Sequence, residues 1–157
     1  MDINTIVREK VIAALETSRE VVNHNEVSYI QYNGVNIPIF DEVVNPNIPI
    51  PEVNRAGTYI IIQDQQSSDA AIQHTCGVRL TANLTIKVVT RWGTIGFKNV
   101  CENIGSLIDS KLRDLRSNSK LSDVQEVKLS VSRTITETTI SNIAFSKIQI
   151  YSITINI

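Results

Sequence analysis

The chain has 157 residues and a mass of 17.5 kDa, the usual size of one domain with one hydrophobic core. Hydrophobic residues make up 42% and charged residues 20%, which excludes a disordered or fibrous protein. The formal net charge of −1 lacks the positive excess that attracts phosphate, so the composition disfavours tight DNA binding.

The targeting and redox features indicate a reducing compartment. Residues 1–4 are acidic and precede an amphipathic segment, unlike the basic start and apolar stretch of a secretory signal. No apolar run in the sequence reaches the length that spans a bilayer. We therefore expect folding in a cytoplasm, with Cys76 and Cys101 as free thiols rather than a disulfide.

The first segments predict a helix followed by a hairpin. Apolar residues recur at three- and four-residue spacing from Ile3 to Leu15, which predicts a helix with one apolar stripe. Val27–Tyr32 and Val35–Phe40 are separated by Asn33-Gly34, a dipeptide typical of type I′ hairpin turns. Pro38 cannot donate a hydrogen bond, so the second arm should be an edge strand or direct that missing donor outward.

The middle of the chain predicts two strands and two long loops. Residues 41–57 contain three prolines and are expected to form an extended surface loop. Tyr59–Ile62 is a short apolar run, which predicts a strand covered on both faces. Residues 65–77 are polar and are expected to form a second, flexible loop. Alternation from Leu80 to Val88 then predicts a half-buried strand.

A second helix is predicted between the middle strands and the C-terminal ones. Its apolar face comprises Phe97, Val100, Cys101, Ile104, Ile108, Leu112 and Leu115. About 20 residues of helix would extend about 30 Å, enough to cross a sheet. Asp109 and Arg113 are spaced for a surface ion pair on the opposite side. Gly105 either permits a close approach to the sheet or is a tolerated neutral glycine.

The C-terminal region predicts a second hairpin. Residues 127–132 alternate, Thr136–Thr139 is a polar connection, and Ile143–Ile157 forms a long strand whose only charge is Lys147. Such a strand must be central, covered, or paired with another chain, because a bare apolar edge invites aggregation. Its apolar residues change parity near Ile150, so either a bulge switches faces or both faces are covered.

These elements predict a fold of the α+β class. The expected architecture is a single domain, 1–157, with a mostly antiparallel β-sheet and two α-helices packed on one face.

Residues that could bind a metal, attack a substrate or hold a phosphate are scattered. His24 and His74 are the only histidines, and His74 with Cys76 supplies too few ligands for a zinc site. Neither cysteine has an evident activating base. Residues 93–96, Gly-Thr-Ile-Gly, could receive a phosphate but fit a plain strand-to-helix turn better. Asp41-Glu42 lacks a second carboxylate cluster for acid/base catalysis.

One weak candidate for nucleic-acid binding remains. Basic residues lie along or just beyond the predicted strand that begins near Leu80, and Trp92 stands beside them; they are Arg79, Lys87, Arg91 and Lys98. A base stacked on Trp92 with phosphates on the arginines would make a single-strand platform. A solvated strand face with Trp92 capping the core edge is the preferred interpretation.

The order of elements resembles that of the tail terminator or tail-completion proteins of long-tailed bacteriophages, also called neck or head-to-tail joining proteins. The similarity covers the start helix, the segment Ile37–Asp41 leading through a proline-containing loop to Tyr59–Ile62, the strand Leu80–Trp92, the second helix and the closing hairpin. The sequence departs from that pattern in its well-formed Asn33-Gly34 hairpin and in Gly57, which stands where a proline often precedes the aromatic residue. A subunit of a stopper or adaptor ring of the neck therefore remains an alternative role for this chain.

The resemblance implies a structural virion protein rather than an enzyme, with no catalytic residue, cofactor or metal. It implies a hexameric ring that stacks on the last tail-tube ring, ends tube growth and joins the head connector. Its partners would be copies of itself, the tail tube protein and neck proteins, with DNA passing through the lumen without specific binding and with no membrane. It would be assembled in the bacterial cytoplasm and carried in the virion tail or neck.

The two predicted loops and the end of the following strand are then the expected subunit or ring interface. The candidate interface residues are Asn45, Asn47, Arg55, Gln65, Gln66, Asp69, Gln73, Arg91 and Trp92. The alternative function is a small nucleic-acid or ligand binding module that uses the rim formed by Arg91 and Trp92.

Overall fold

A computed structural model describes the backbone of residues 3–74, 77–114 and 124–156, and the side chains of these residues except 3, 64–80, 125 and 156. The helices are α1 (Ile3–Leu15) and α2 (Asn99–Arg113). The strands are β1 (Ser18–Val22), β2 (Asn25–Tyr32), β3 (Val35–Asp41), β4 (Glu52–Val53), β5 (Ala56–His74), β6 (Gly77–Trp92), β7 (Val124–Thr138) and β8 (Ile143–Asn156).

The strands form one sheet in the order β1-β2-β3-β5-β6-β8-β7, with β4 paired to the start of β5. Every pairing is antiparallel except that of β3 with β5, which is parallel. Both helices contribute to one apolar cluster on one face of this sheet, called here the helix face. The predicted α+β class is confirmed. Neither helix among the described residues combines the length and apolar character needed to cross a bilayer.

The core follows from the two periodicities in the sequence. On α1, Val7, Val11 and Leu15 are buried at four-residue spacing, as the predicted stripe requires. On the sheet, alternate residues of β6 and β8 point toward the helices. A second, smaller cluster lies on the opposite face, the outer face, where Ile48 of the proline-containing loop covers Phe40 and Tyr59. The outer face is therefore covered over its β2-β3-β5 part.

The first hairpin forms as predicted. Tyr32 pairs with Val35, and the two residues between them have positive φ angles, 49° at Asn33 and 76° at Gly34, as a type I′ turn requires. The edge-strand alternative for β3 is wrong, because β3 lies between β2 and β5. Pro38 precedes the first residue that pairs with β5, Ile39, so its missing donor falls outside that pairing.

Several predicted boundaries are wrong for identifiable reasons. The loop 41–57 contains the short strand β4, closed onto β5 by Asn54 and Arg55 at positive φ. The loop 65–77 is largely strand, because β5 continues to His74 and β6 begins at Gly77 with register shifts between them. Polar strands of this kind pair through backbone hydrogen bonds, so they carry no apolar alternation.

The predicted second helix and second hairpin also shift at their ends. Helix α2 begins at Asn99, and Phe97 is exposed before it instead of lying on its buried face. Leu115 lies outside the described residues. Residues 136–138 belong to β7, and the turn that joins β7 to β8 begins after Thr138.

Strand β8 is central, with β6 on one side and β7 on the other. Its pairing with β6 runs without a break from Ile143 to Asn156. The irregularity lies in the partner strand β7, where a register shift occurs between Leu129 and Val131, opposite Tyr151 and Ile150. The bulge is thus in β7 and not in β8, and the isoleucines of β8 divide between the two faces.

Helix α2 contacts β8 closely at Gly105. A Cβ atom at Gly105 would lie 2.9 Å from Cγ of Lys147. The Gln149 amide Nε2 donates to the carbonyl oxygen of Gly105 at 3.0 Å, and the Tyr151 hydroxyl donates to the Asp109 carboxylate at 3.0 Å. Gly105 therefore permits the close approach that was one of its two interpretations. Asp109 also forms the predicted ion pair with Arg113, at 2.7 Å, although its contact with Tyr151 places it toward the sheet.

Substitution of Gly105 tests this contact. We expect Gly105→Val to lower the free energy of unfolding by about 1–3 kcal/mol, because the added methyl groups overpack against Lys147 and Gln149. Asn103→Ala, at an exposed position of the same helix, should leave stability equal or slightly raised. Urea denaturation followed by circular dichroism measures both variants. Unchanged stability of Gly105→Val would contradict the close approach.

The Tyr151 hydrogen bond predicts a dependence of stability on pH. Burial and the hydrogen bond to Asp109 raise the pKa of Tyr151 above its ordinary value of 10.0. The unfolded tyrosine ionises near pH 10 while the folded one stays protonated, so this contribution is complete below pH 10 and is lost as pH rises further. We expect Tyr151→Phe to cost about 1–2 kcal/mol at neutral pH, with a difference from wild type that narrows above pH 10. A difference that stays constant through that range would contradict the raised pKa.

Candidate functional site

The structure brings together three of the predicted interface residues at one end of the sheet. Arg55 lies in the β4–β5 turn, and Arg91 and Trp92 end β6. All three line one cleft of about 450 Å³, called here the Trp92 cleft. Its full lining is Glu52, Arg55, Gly57, Arg91, Trp92, Gly93, Glu137, Thr139, Asn142 and Ala144.

The cleft exists because small residues alternate with charged ones across five strands. The strand pairings align Glu52 with Gly57, Gly57 with Arg91, Arg91 with Ala144, and Ala144 with Glu137. Gly57 and Ala144 leave a depression on either side of Arg91, and the two carboxylates stand at its ends. We call this alignment the charged row.

Arg91 is oriented by an aromatic neighbour. Its guanidinium Nη2 donates to the Tyr59 hydroxyl at 3.3 Å, and the guanidinium carbon lies 5.8 Å from the centre of the Tyr59 ring. This combination of a hydrogen bond and a cation–π contact holds Arg91 on the outer face. The remaining N–H donors of the Arg91 guanidinium form no ion pair with a carboxylate of the described residues.

Trp92 forms the apolar wall of the cleft and belongs to the main core. Its side chain is 8% exposed, and Phe97 packs edge-on against its ring with centroids 5.8 Å apart. A Cβ atom at Gly96 would lie 2.7 Å from Cγ of Trp92, so a glycine is required where the chain folds over the indole. The indole Nε1 is buried and has no hydrogen-bond partner among the described residues. Residues 93–96 lie in the connection between β6 and α2, where the sequence predicts a strand-to-helix turn.

Large exposed apolar side chains lie in the segments that border the cleft. Ile95 is 72% exposed and Phe97 is 58% exposed in the segment that follows Trp92. Ile140 is fully exposed in the turn between Thr139 and Asn142. Ile50, also exposed, lies against Gly57. This end of the sheet thus combines a buried tryptophan, two arginines and exposed aliphatic groups.

The other predicted interface residues lie elsewhere. Asn45 and Asn47 fasten the proline-containing loop: the Asn47 N–H donates to Asn45 Oδ1 at 3.0 Å, and the Asn23 amide donates to the Asn47 carbonyl at 2.7 Å. Gln65, Gln66, Asp69 and Gln73 lie on the β5 strand instead of a loop. Gln73 pairs with Val78 of β6, whereas Gln65, Gln66 and Asp69 lie at the two register shifts of the β5–β6 pairing. All four are at a distance along the strand from the Trp92 cleft, which begins at Gly57.

A second surface was not predicted as a site. On the outer face, the β8 and β7 strands present Ile148, Ile150, Ile135 and Val131, of which Val131 is 40% exposed and the others half-buried. None of the four belongs to either apolar cluster of the described residues. We call this surface the open outer face. Its signal in the sequence was the change of apolar parity near Ile150, which placed isoleucine on both faces of β8.

The candidate chemical groups have structural roles in the described part of the chain. Arg8 pairs with both Asp41 and Glu42, at 2.8 and 2.5 Å, and so ties α1 to the end of β3. Cys101 is a buried free thiol whose Sγ contacts the Lys98 carbonyl at 3.1 Å. Burial and the neighbouring Glu102 raise the pKa of Cys101, which disfavours the nucleophilic thiolate. The described residues hold no group of three metal-ligating side chains.

The basic residues that would form a single-strand platform do not share one surface. Lys87 and Arg91 lie on the outer face, whereas Trp92 packs among residues of the helix face. Lys98 precedes α2, and the side chain of Arg79 lies outside the described ones. Only Arg91 and Trp92 meet, at the end of the sheet.

Comparison with known proteins adds no assignment. No protein-family model matches the sequence, and no curated protein sequence matches it. We therefore infer function from the geometry of the Trp92 cleft and of the open outer face.

Proposed function

We propose that this protein is a structural subunit that assembles with copies of itself into a ring, of about six subunits, in the tail or neck of a bacteriophage virion. In this role it ends growth of the tail tube at its head-proximal end and joins the tail to the head connector. Its further partners are the tail tube protein and neck proteins, and DNA passes through the lumen. Assembly takes place in the host cytoplasm, and the role requires no catalysis. The support is the order of elements, which resembles that of the tail-terminator proteins, together with the open outer face.

The observation that carries the proposal is the open outer face. Strand β8 has a single charged side chain, Lys147, and that residue points toward α2 near Gly105. Its other side presents Ile148 and Ile150 next to Val131 of β7. On this face Ile148 lies between Lys87 of β6 and Arg133 of β7, which pair with it on either side. Apolar side chains rimmed by charged ones in this way are typical of a protein–protein interface. A neighbouring subunit packed there would bury these apolar side chains.

A ring also fits the shape of the sheet. The two edge strands, β1 and β7, lie at opposite ends of the strand order, and both carry charged residues such as Glu20 and Glu137. Charges on edges discourage uncontrolled pairing with other chains. When copies associate through a face of the sheet, the charged edge strands remain free to discourage pairing with other chains.

Light scattering of the purified protein tests the ring. We expect a species with a mass of at least about six times 17.5 kDa. Ile148→Glu should dissociate it into smaller, folded species, because a carboxylate would be buried in the subunit interface without a partner. Val21→Glu, at a 74% exposed position of β1, is the matched control and should leave the ring intact. A monomeric mass for wild type at high concentration, or an unaffected ring in Ile148→Glu, would contradict the proposal.

A second candidate function is a small nucleic-acid or ligand binding module centred on the Trp92 cleft. The specific observation in its favour is that Arg55, Arg91 and Trp92 line one cleft. Glu52 and Glu137 line the same cleft and would repel a phosphate backbone, which makes this the weaker candidate.

Tryptophan fluorescence separates the two functions cleanly, because Trp92 is the only tryptophan in the chain. We expect a single-stranded oligonucleotide to leave its emission unchanged at low and at high salt. Quenching that appears at low salt and disappears at high salt would favour the binding module.

A further inference from the structure

The Trp92 cleft presents charges of both signs that form no ion pair within the described part of the chain. Arg55, Arg91, Glu52 and Glu137 all line it, and none of these four forms an ion pair with another described residue. The two guanidinium groups and the two carboxylates give the cleft a formal net charge of zero. Charges held near one another without partners are available to a second molecule.

The surroundings of the cleft have the composition of a protein interface. A buried tryptophan and two arginines line it, and these are the residue types most often found to anchor binding. Ile95, Phe97 and Ile140 are exposed around it, where a partner would cover them.

The charge pattern narrows the occupant to a protein surface of mixed charge. A polyphosphate would meet Glu52 and Glu137 at both ends of the charged row, with Arg91 between them. A surface that carries carboxylates and guanidiniums in equal number meets no such repulsion. The lining of the Trp92 cleft, with Arg55, Arg91, Glu52 and Glu137, is itself a surface of that description.

The spacing along the charged row makes it complementary to itself. Arg91 and Glu137 pair with the same residue of β8, Ala144, so they are two strands apart. Neighbouring strands are about 4.8 Å apart, which separates the two backbones by about 10 Å. A two-fold axis reverses the order of the charged row in the second copy relative to the first. An axis near Ala144 would therefore place Arg91 of each copy opposite Glu137 of the other copy, which makes two such pairs.

We propose that the Trp92 cleft is a self-association surface on which a second copy of this chain docks about a two-fold axis. Two guanidinium–carboxylate pairs, each between Arg91 of one copy and Glu137 of the other, fix the alignment. Ile95, Phe97 and Ile140 pack around these pairs. This contact goes beyond the proposed ring, since a ring closes through contacts between different surfaces, whereas this contact joins two subunits or two rings face to face.

Charge reversal tests the two-fold geometry. Glu137→Arg and Arg91→Glu each place like charges opposite each other in a pair of identical copies. We expect each variant alone to weaken two-fold association at least about tenfold at low salt, as measured by sedimentation velocity. A mixture of the two variants restores both Arg–Glu pairs across the axis. It should therefore associate as hetero-pairs more tightly than either variant does alone.

The controls guard against an effect on folding. Glu20→Arg makes the same reversal at an exposed glutamate on the opposite edge strand and should leave association unchanged. Because Arg91→Glu also removes the contact with Tyr59, circular dichroism must show that variant folded. If it is unfolded, Glu137→Arg and the neutral Glu137→Gln replace the pair of variants, and the charge reversal should weaken association more than the neutral change does.

The outcomes distinguish this inference from the ring. Ile148→Glu should remove the ring and keep the two-fold pair, while Glu137→Arg should remove the pair and keep the ring. No effect of Glu137→Arg on association would overturn the inference. So would a mixture of the two variants that associates no better than each variant alone, because that result indicates a contact without two-fold symmetry.

Discussion

The position of β8 in the middle of the sheet is the constraint on which the rest of the structure depends. Fourteen residues with a single charge would be a hazard at an edge, and pairing with β6 and β7 satisfies the backbone of this strand on both sides. Because the β6–β8 pairing is unbroken, it also fixes which residues meet at the end of the sheet. Arg91, Ala144 and Glu137 form the centre of the Trp92 cleft as a consequence of this register.

The same strand fixes α2 on the helix face. Three polar side chains interrupt its apolar pattern there, and two of them contact the helix through hydrogen bonds, Gln149 to Gly105 and Tyr151 to Asp109. A hydrogen bond fixes position along the helix in a way that apolar contact, being non-directional, does not. The opposite side of β8 has no such cover among the described residues and supplies the open outer face. One strand thus determines both the packed face and the open outer face.

Much of the fold could be predicted because its signals are local. The stripe of α1, the Asn33-Gly34 turn and the alternation of β6 depend on residues close together in sequence. The strand character of residues 65–74 could not be predicted, because pairing with β6 through the backbone leaves no mark on side-chain polarity. The start of α2 was placed too early because Phe97 continues the helical spacing while packing on Trp92 instead. The short strand β4 depends on two residues at positive φ, one of which is an arginine.

The candidate site could be predicted only in part, for a related reason. Arg91 and Trp92 are adjacent in sequence, so the sequence alone could predict that they lie at the same site. Glu52 and Glu137 join them through the register of four strand pairs, which no spacing along the chain reveals. These two carboxylates make the cleft less suited to a phosphate, and on them depends our proposal that it binds a second copy of the chain. The small residues Gly57 and Ala144 are the sequence signal of the cleft. This signal can be recognised only when the alignment of the strands is known.

The central claim is that this chain builds a ring. Electron microscopy of the purified protein in negative stain tests it most directly, because a ring is recognised by its outline and central hole without any assumption about its partners. The account predicts closed rings whose averaged end-on views show about six-fold symmetry. Particles of the size of a single 17.5 kDa subunit, with no ring at any concentration, would contradict it.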